Sequence, residues 1–227
     1  EMKDDSRQAP FISFSKNDGL QVPGMLLGRL FDAISKKKVI KVTYTPFNQQ
    51  PRDFIIHPYQ LKQFNDRWFL LCCPVATEQY PFNPEFILTL ALDRMSEKFE
   101  YVESIDYFEC VVDLKARYDE IVGVTLYQDK DLEDIYFAVS PKSVDYIRTK
   151  WLHTTQIELD HESQLYFKGK YPMLSDFTFF SIQCRENPEL YAKFASYLSD
   201  IVLVEPTYMK DQLRERIITA SKQFTLL

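Results

Sequence analysis

At 227 residues, with 45% hydrophobic and 15% aromatic content, the chain can hold one large domain or two ordinary ones, which excludes wholesale disorder. A formal net charge of −6 and a pI near 5.2 exclude the broad basic face that non-specific nucleic-acid binding needs, so any such contact must be a local site. No apolar run approaches the roughly 20 residues of a membrane helix, and four cysteines that include the adjacent pair Cys72 and Cys73 do not fit a disulfide framework, so a cytoplasmic protein without membrane contact is expected.

Residues 1–22 are polar and without periodicity, with a turn signal at Asn17-Asp18-Gly19, and predict a linker or extended arm. They hold no charged-then-apolar signal segment, and the chain opens on Glu1, as expected of a piece of a longer product. Pro23-Gly24 opens a predicted helix whose stripe is Leu26, Leu27, Leu30, Phe31 and Ile34. Lys36, Lys37 and Lys38 close it as a solvated cluster at the end where the helix dipole favours cations. From Val39 the period becomes two: Ile40, Val42 and Tyr44 alternate with Lys41, Thr43 and Thr45, a half-buried strand. Phe54 to Lys62 is a second strand, interrupted at His57-Pro58, where a residue without an N–H implies an edge or a bulge. Phe64-Asn65-Asp66 is a tight turn into a third strand, Arg67 to Cys73, and Phe86 to Leu92 is a fourth, ending in Asp93-Arg94. Short strands with tight links behind one helix predict a small β-barrel of the SH3 or Sm kind over residues 25–112.

A second unit is expected over residues 113–227. Ile135 to Val139 reads as a strand, followed by a helix capped by Ser140 with Pro141 in its first turn and Val144, Ile147 and Trp151 on one face. Leu152 to Leu159 and Leu165 to Lys168 read as extended, and Phe177 to Gln183 as an aromatic strand facing a core. Asn187 caps a helix with the stripe Leu190, Phe194, Tyr197 and Leu198, Ile201 to Val204 returns as a strand, and Glu205-Pro206 begins a last helix to about residue 224. Alternating strands and helices of this kind predict an α+β sandwich of the ferredoxin-like type.

The first unit resembles a WYL domain through the Tyr44 strand, His57-Pro58-Tyr59-Gln60-Leu61-Lys62, Arg67-Trp68-Phe69-Leu70 and Leu90-Ala91-Leu92-Asp93-Arg94-Met95. Phe69 stands where the family's signature usually has Tyr, which removes that hydroxyl. The second unit is similar to the C-terminal extension that often follows WYL domains, through Phe137 to Ser140, Leu152 to Gln156 and Val202 to Pro206. The resemblance implies a bacterial transcriptional regulator, a homodimer whose WYL domain senses a nucleotide or single-stranded nucleic acid. Such proteins contact DNA through a winged helix-turn-helix, which residues 1–24 are too short to hold.

The chemistry fits such an effector: phosphates need fixed cations, and bases need aromatic faces, at about 1–3 kcal/mol per stacked base. Tyr44, His57, Tyr59, Arg67, Phe69 and Arg94 are the candidate ligand-binding residues, with Arg52 and Lys62 at strand ends as a rim. Each has an ordinary reading as well. Trp68 shares a face with Leu70 and Cys72 and belongs to the core, Arg67 lies on the opposite face, Arg94 can pair with Asp93, and a histidine beside proline is more often structural. No catalytic residue, metal site or cofactor is expected. Only five glycines are present, none in a phosphate-cradling loop; His57, His153 and His161 lie far apart, and no nucleophile elbow occurs. Two rival readings remain at this stage, a constitutive oligomerisation or scaffold module without a small ligand and a nucleotide-processing enzyme.

Overall fold

The computed structural model describes residues 24–78, 81–127 and 129–225, and the arm expected over residues 1–22 lies outside them. The chain divides into two compact units, residues 1–111 and 112–227. Both are mixed α and β, and each is built on one antiparallel sheet.

In the first unit a helix, α1 (Gly24–Ser35), precedes β1 (Ile40–Tyr44), β2 (Arg52–Phe64), β3 (Arg67–Pro74), β4 (Leu88–Ala91) and β5 (Met95–Tyr101), in the order β4-β3-β2-β1-β5. The expected closed barrel is not found: among the described residues no ladder joins β4 to β5, and both remain edges. The alternation read in β1 holds, with Ile40, Val42 and Tyr44 buried. The turn between β2 and β3 pairs Phe64 with Arg67 across Asn65 and Asp66, whose φ values of 48° and 61° are those of a two-residue hairpin that matches the twist of its strands.

Pro58 is accommodated in the two ways its missing N–H allows. The β1 ladder ends at Ile40 and Ile56, so Pro58 has a neighbour on the β3 side only, and the β2–β3 register shifts between Pro58 and Gln60 as a bulge. The core joins Leu26, Leu30 and Ala33 of α1 to Ile40, Val42, Ile56, Leu70, Cys72, Leu90, Leu92, Met95 and Phe99, with Trp68 packed at its margin. Phe31, expected in the helix stripe, is instead exposed, and Ala33 takes the buried position. Lys36, Lys37 and Lys38 each meet a carboxylate, on Asp32, Glu109 and Glu103, so the run is a set of surface ion pairs.

The strand β5 lacks a regular alternation: Met95 and Phe99 are its two buried residues, Glu97 between them is exposed, and the β1–β5 ladder shifts register across this stretch. The free side of this edge strand is held by α1. Arg29 donates from Nη1 to the Glu97 carbonyl at 3.2 Å and from Nη2 to the Phe99 carbonyl at 2.8 Å, with its guanidinium carbon 4.2 Å from the Phe99 ring centre.

The second unit runs α2 (Leu114–Asp119), β6 (Leu132–Val139), α3 (Val144–Thr149), β7 (Ile157–Glu158), α4 (His161–Lys170), β8 (Thr178–Arg185), α5 (Pro188–Ala195), β9 (Ile201–Glu205) and α6 (Thr207–Thr225), with sheet order β7-β8-β6-β9. One face of the sheet carries Ile135, Phe137, Phe180, Ile182 and Leu203 against Ile147, Leu190, Tyr191, Phe194, Met209 and Leu213 of the helices. The other face carries Ala138, Phe179 and Val204 against Phe167 of α4, so the aromatic strand at Phe177 to Phe180 supplies both sides of a core.

Leu165 to Lys168 is helical, inside α4, and of Leu152 to Leu159 only Ile157 and Glu158 form a strand. The helix expected at Ser140 starts at Val144, after a turn in which the Ser140 carbonyl accepts from Ser143 N at 3.0 Å and Val144 N at 3.1 Å. Trp151 and Leu198, placed on apolar stripes, are 56% and 69% exposed, and in α5 Tyr191 is buried with Leu190 and Phe194.

Candidate functional site

Three of the eight sequence-selected residues converge at the end of the first sheet where β1 turns into β2. The connection, Thr45 to Pro51, is tied to the short 3-10 turn Leu92–Arg94 by a hydrogen bond from Thr45 N to the Arg94 carbonyl at 3.0 Å. This bond draws the Arg94 side chain between two rings: its guanidinium carbon lies 4.1 Å from the Phe47 centre and 5.4 Å from that of Tyr44, and its Nε is buried with no partner among the described residues. Tyr44 is buried, with its ring also edge-on to Phe54, whereas Phe47 is 65% exposed and forms an open face.

Arg67 reaches the same ring from β3, with its guanidinium carbon 5.9 Å from the Phe47 centre, but its charge is already engaged. Nε donates to Asp93 Oδ1 at 2.8 Å and Nη2 to Oδ2 at 2.5 Å, a two-pronged pair that holds the Asp93 carboxyl below its ordinary range. The ordinary reading of Arg94 in the sequence was a pair with Asp93, its neighbour in the chain, or with a nearby carboxylate. The β3–β4 ladder, in which Phe69 faces Ala91, instead brings Asp93 into a two-pronged pair with Arg67, and among the described residues Arg94 makes no such ion pair. A cleft of about 590 Å³ opens beside the pair, lined by Thr43, Thr45, Phe47, Gln49, Arg94 and Ser96 among others, with Asp93 and Arg94 its charged members.

Four of the other five residues lie elsewhere, whereas Arg52 stands opposite Tyr44 at the end of the β1–β2 turn. His57 is 3% exposed; its Nδ1 accepts from Phe108 N at 3.1 Å, and its ring meets those of Phe82, Tyr107 and Phe108 edge-on at 5.8 to 6.4 Å. Burial lowers its pKa, which keeps the ring neutral and its acceptor available. The Tyr59 hydroxyl is buried beside the Cys73 thiol, and its ring packs edge-on against Tyr107. Both are therefore parts of an aromatic layer. Phe69 is 7% exposed, and Lys62 stands opposite it in the β2–β3 ladder. Arg52 donates to the Gln49 side chain and lines a second cleft of about 630 Å³ with Lys41, Asp53 and Phe54.

Phe47 is the site residue that sequence reasoning passed over. Its signal was a large aromatic inside the Pro46 to Pro51 turn, where no strand or helix pattern called for one. Among the described residues no group of three or more His, Cys, Asp or Glu stands close enough to hold a metal ion, and no helix is long and apolar enough to cross a membrane.

Residues 25–98 match the family model of the WYL domain. No curated protein matches the chain. Solved structures similar to it include proteasome accessory factor B/C (PafBC) of Arthrobacter aurescens, at 14% identity and a TM-score of 0.37, over 91% of this chain and 29% of that one. Another is a CRISPR Cas-related protein, at 12% identity and a TM-score of 0.48, over 88% of this chain and 51% of that one. The chain thus spans about half or less of the length of these two structures. The sequence motifs and the family-model match thus fall on the same strands and place the WYL likeness on residues 25–98.

Proposed function

We propose that the first unit is the sensor of a transcriptional regulator, and that its effector is a nucleotide or single-stranded nucleic acid held at Arg94. One observation carries the reading: a guanidinium with no carboxylate ion pair among the described residues is fixed between two aromatic rings, the outer one exposed beside an open cleft. A phosphate oxygen satisfies the N–H groups of such an arginine, and a base stacks on the open ring of Phe47. The acidic character of the whole chain keeps recognition local. The five-stranded sheet is read as the SH3-like or Sm-like part of this sensor. The second unit is read as a ferredoxin-like coupling and dimerisation element, a reading supported by the sheet order β7-β8-β6-β9 with every neighbouring pair antiparallel. DNA contact falls to a helix-turn-helix outside this chain, and four cysteines that form no disulfide suit a reducing cytoplasm. No catalytic step belongs to this reading.

The test is a titration of short single-stranded DNA, RNA and mononucleotides, followed by fluorescence anisotropy, against the wild type and Arg94→Ala. Loss of a charge-assisted hydrogen bond worth about 1.5–3 kcal/mol weakens binding roughly 10-fold to 100-fold. Binding that ignores both the substitution and the salt concentration rejects the site. A dimer in light scattering that answers to no nucleotide favours a constitutive scaffold.

A further inference from the structure

We propose that Asp93 sets the charge of the ligand this cleft accepts, so that it takes a single anionic phosphate group next to a ring and discriminates against clustered polyphosphates. The inference rests on the site reading above and concerns its selectivity. Two guanidiniums face Phe47, which at first sight makes a site for several negative charges. Asp93 cancels one of them. It is gripped at both oxygens by Arg67, and the two side chains are only 25% and 18% exposed, so the pair is shielded enough to persist in salt. Arg67, Asp93 and Arg94 together therefore carry one net positive charge.

The positions of these groups matter as much as their sum. Asp93 and Arg94 both line the cleft, while Arg67 holds Asp93 from the β3 side. A first phosphate on Arg94 meets a free cation. A second anionic group of the same ligand meets the Asp93 carboxylate and has to displace it from Arg67, breaking a two-pronged ion pair to gain one. A phosphodiester, which spaces one charge per nucleotide, avoids that exchange. A triphosphate, which stacks its charges along a few ångströms, does not. The low pKa of Asp93 keeps the carboxylate ionised at neutral and mildly acidic pH, so the discrimination is a standing property of the site.

The experiment titrates the whole chain with two magnesium-free probes at matched ionic strength, a phosphodiester-linked dinucleotide and a nucleoside triphosphate, using isothermal calorimetry. The wild type is expected to bind the dinucleotide more tightly. Asp93→Asn, which keeps the shape and removes the charge, releases Arg67 and is expected to tighten triphosphate binding about tenfold while changing the dinucleotide by about threefold or less. Arg67→Gln is the second variant and acts in the opposite sense: the released carboxylate turns on Arg94, and both probes weaken although Arg67 need touch neither. Wild-type preference for the triphosphate, or an unmoved preference in Asp93→Asn, overturns the inference while Arg94-dependent binding leaves the site intact. Absence of binding by either probe overturns the site and this inference together.

Discussion

Asn187 is one side chain on which the second unit depends in three places at once. It is 1% exposed; its Oδ1 accepts from Leu190 N at 2.8 Å as the cap of α5, and its Nδ2 donates to the carbonyls of Val122 at 2.7 Å and Thr125 at 2.9 Å. Asn187→Ala removes the cap, which costs about 1 kcal/mol. It also leaves two carbonyls without their donor, one of them in a buried hydrogen bond, at about 1 kcal/mol or more each. The sum is about 3–4 kcal/mol, a large part of the roughly 5–15 kcal/mol that holds an ordinary domain together. Asn187→Ser keeps the cap acceptor and recovers about 1 kcal/mol of this. Asn187→Asp keeps the acceptor too but sets a carboxylate against two carbonyls, so it is expected to be at least as damaging as Ala. Urea unfolding followed by hydrogen exchange of peptides from β6 and β8 reads the second unit separately from the first. An Asp variant as stable as the wild type would refute the reasoning, because it would mean that the two donations from Nδ2 contribute nothing.

Two further outcomes follow from burial in other places. The folded state holds the His57 pKa below the ordinary value near 6.5, so the unfolded chain binds more protons as pH falls below about 6.5. First-unit stability is therefore full above that pH and declines as pH falls toward the folded pKa, by at most about 1.4 kcal/mol per pH unit. His57→Asn, which retains an acceptor for Phe108 N, is expected to flatten that slope in unfolding curves taken between pH 5 and pH 7. Among the thiols, burial raises Cys72 and Cys73 and pushes Cys184 up to about 12, and all three are 0% exposed, while Cys110 is half-buried. Iodoacetamide at pH 8 is thus expected to modify one cysteine per native chain, Cys110, and mass spectrometry that finds Cys184 modified at the same rate would contradict the packing.

What the sequence made legible divides along physical lines. Strands with one clear buried face, such as Ile40, Val42 and Tyr44, announced themselves by alternation, and Asn187 announced α5 by its cap. The helix α4 did not, because Phe167 is its one buried residue, while Leu165 and Tyr166 are exposed, so no stripe exists to be read. Its cap was nonetheless written in the chain: the Asp160 side chain accepts from Ser163 N at 2.8 Å. In the candidate site, the residue types were legible and the pairing was not. Neighbours in sequence offered Arg94 as a partner for Asp93, whereas the ladder that sets Phe69 opposite Ala91 brings Asp93 to Arg67, and only a tertiary register can reveal which of two arginines forms the two-pronged pair.

The grip of Arg29 on β5 reaches beyond the helix that supplies it. An unpaired outer strand is a template on which a strand from another molecule can grow, and the acceptors such growth would use include the carbonyls of Glu97 and Phe99. Both are already occupied, and the ring of Phe99 lies under the same cation. One side chain thereby obstructs strand addition along β5, and leaves β4 as the edge of this sheet on which such growth is less hindered.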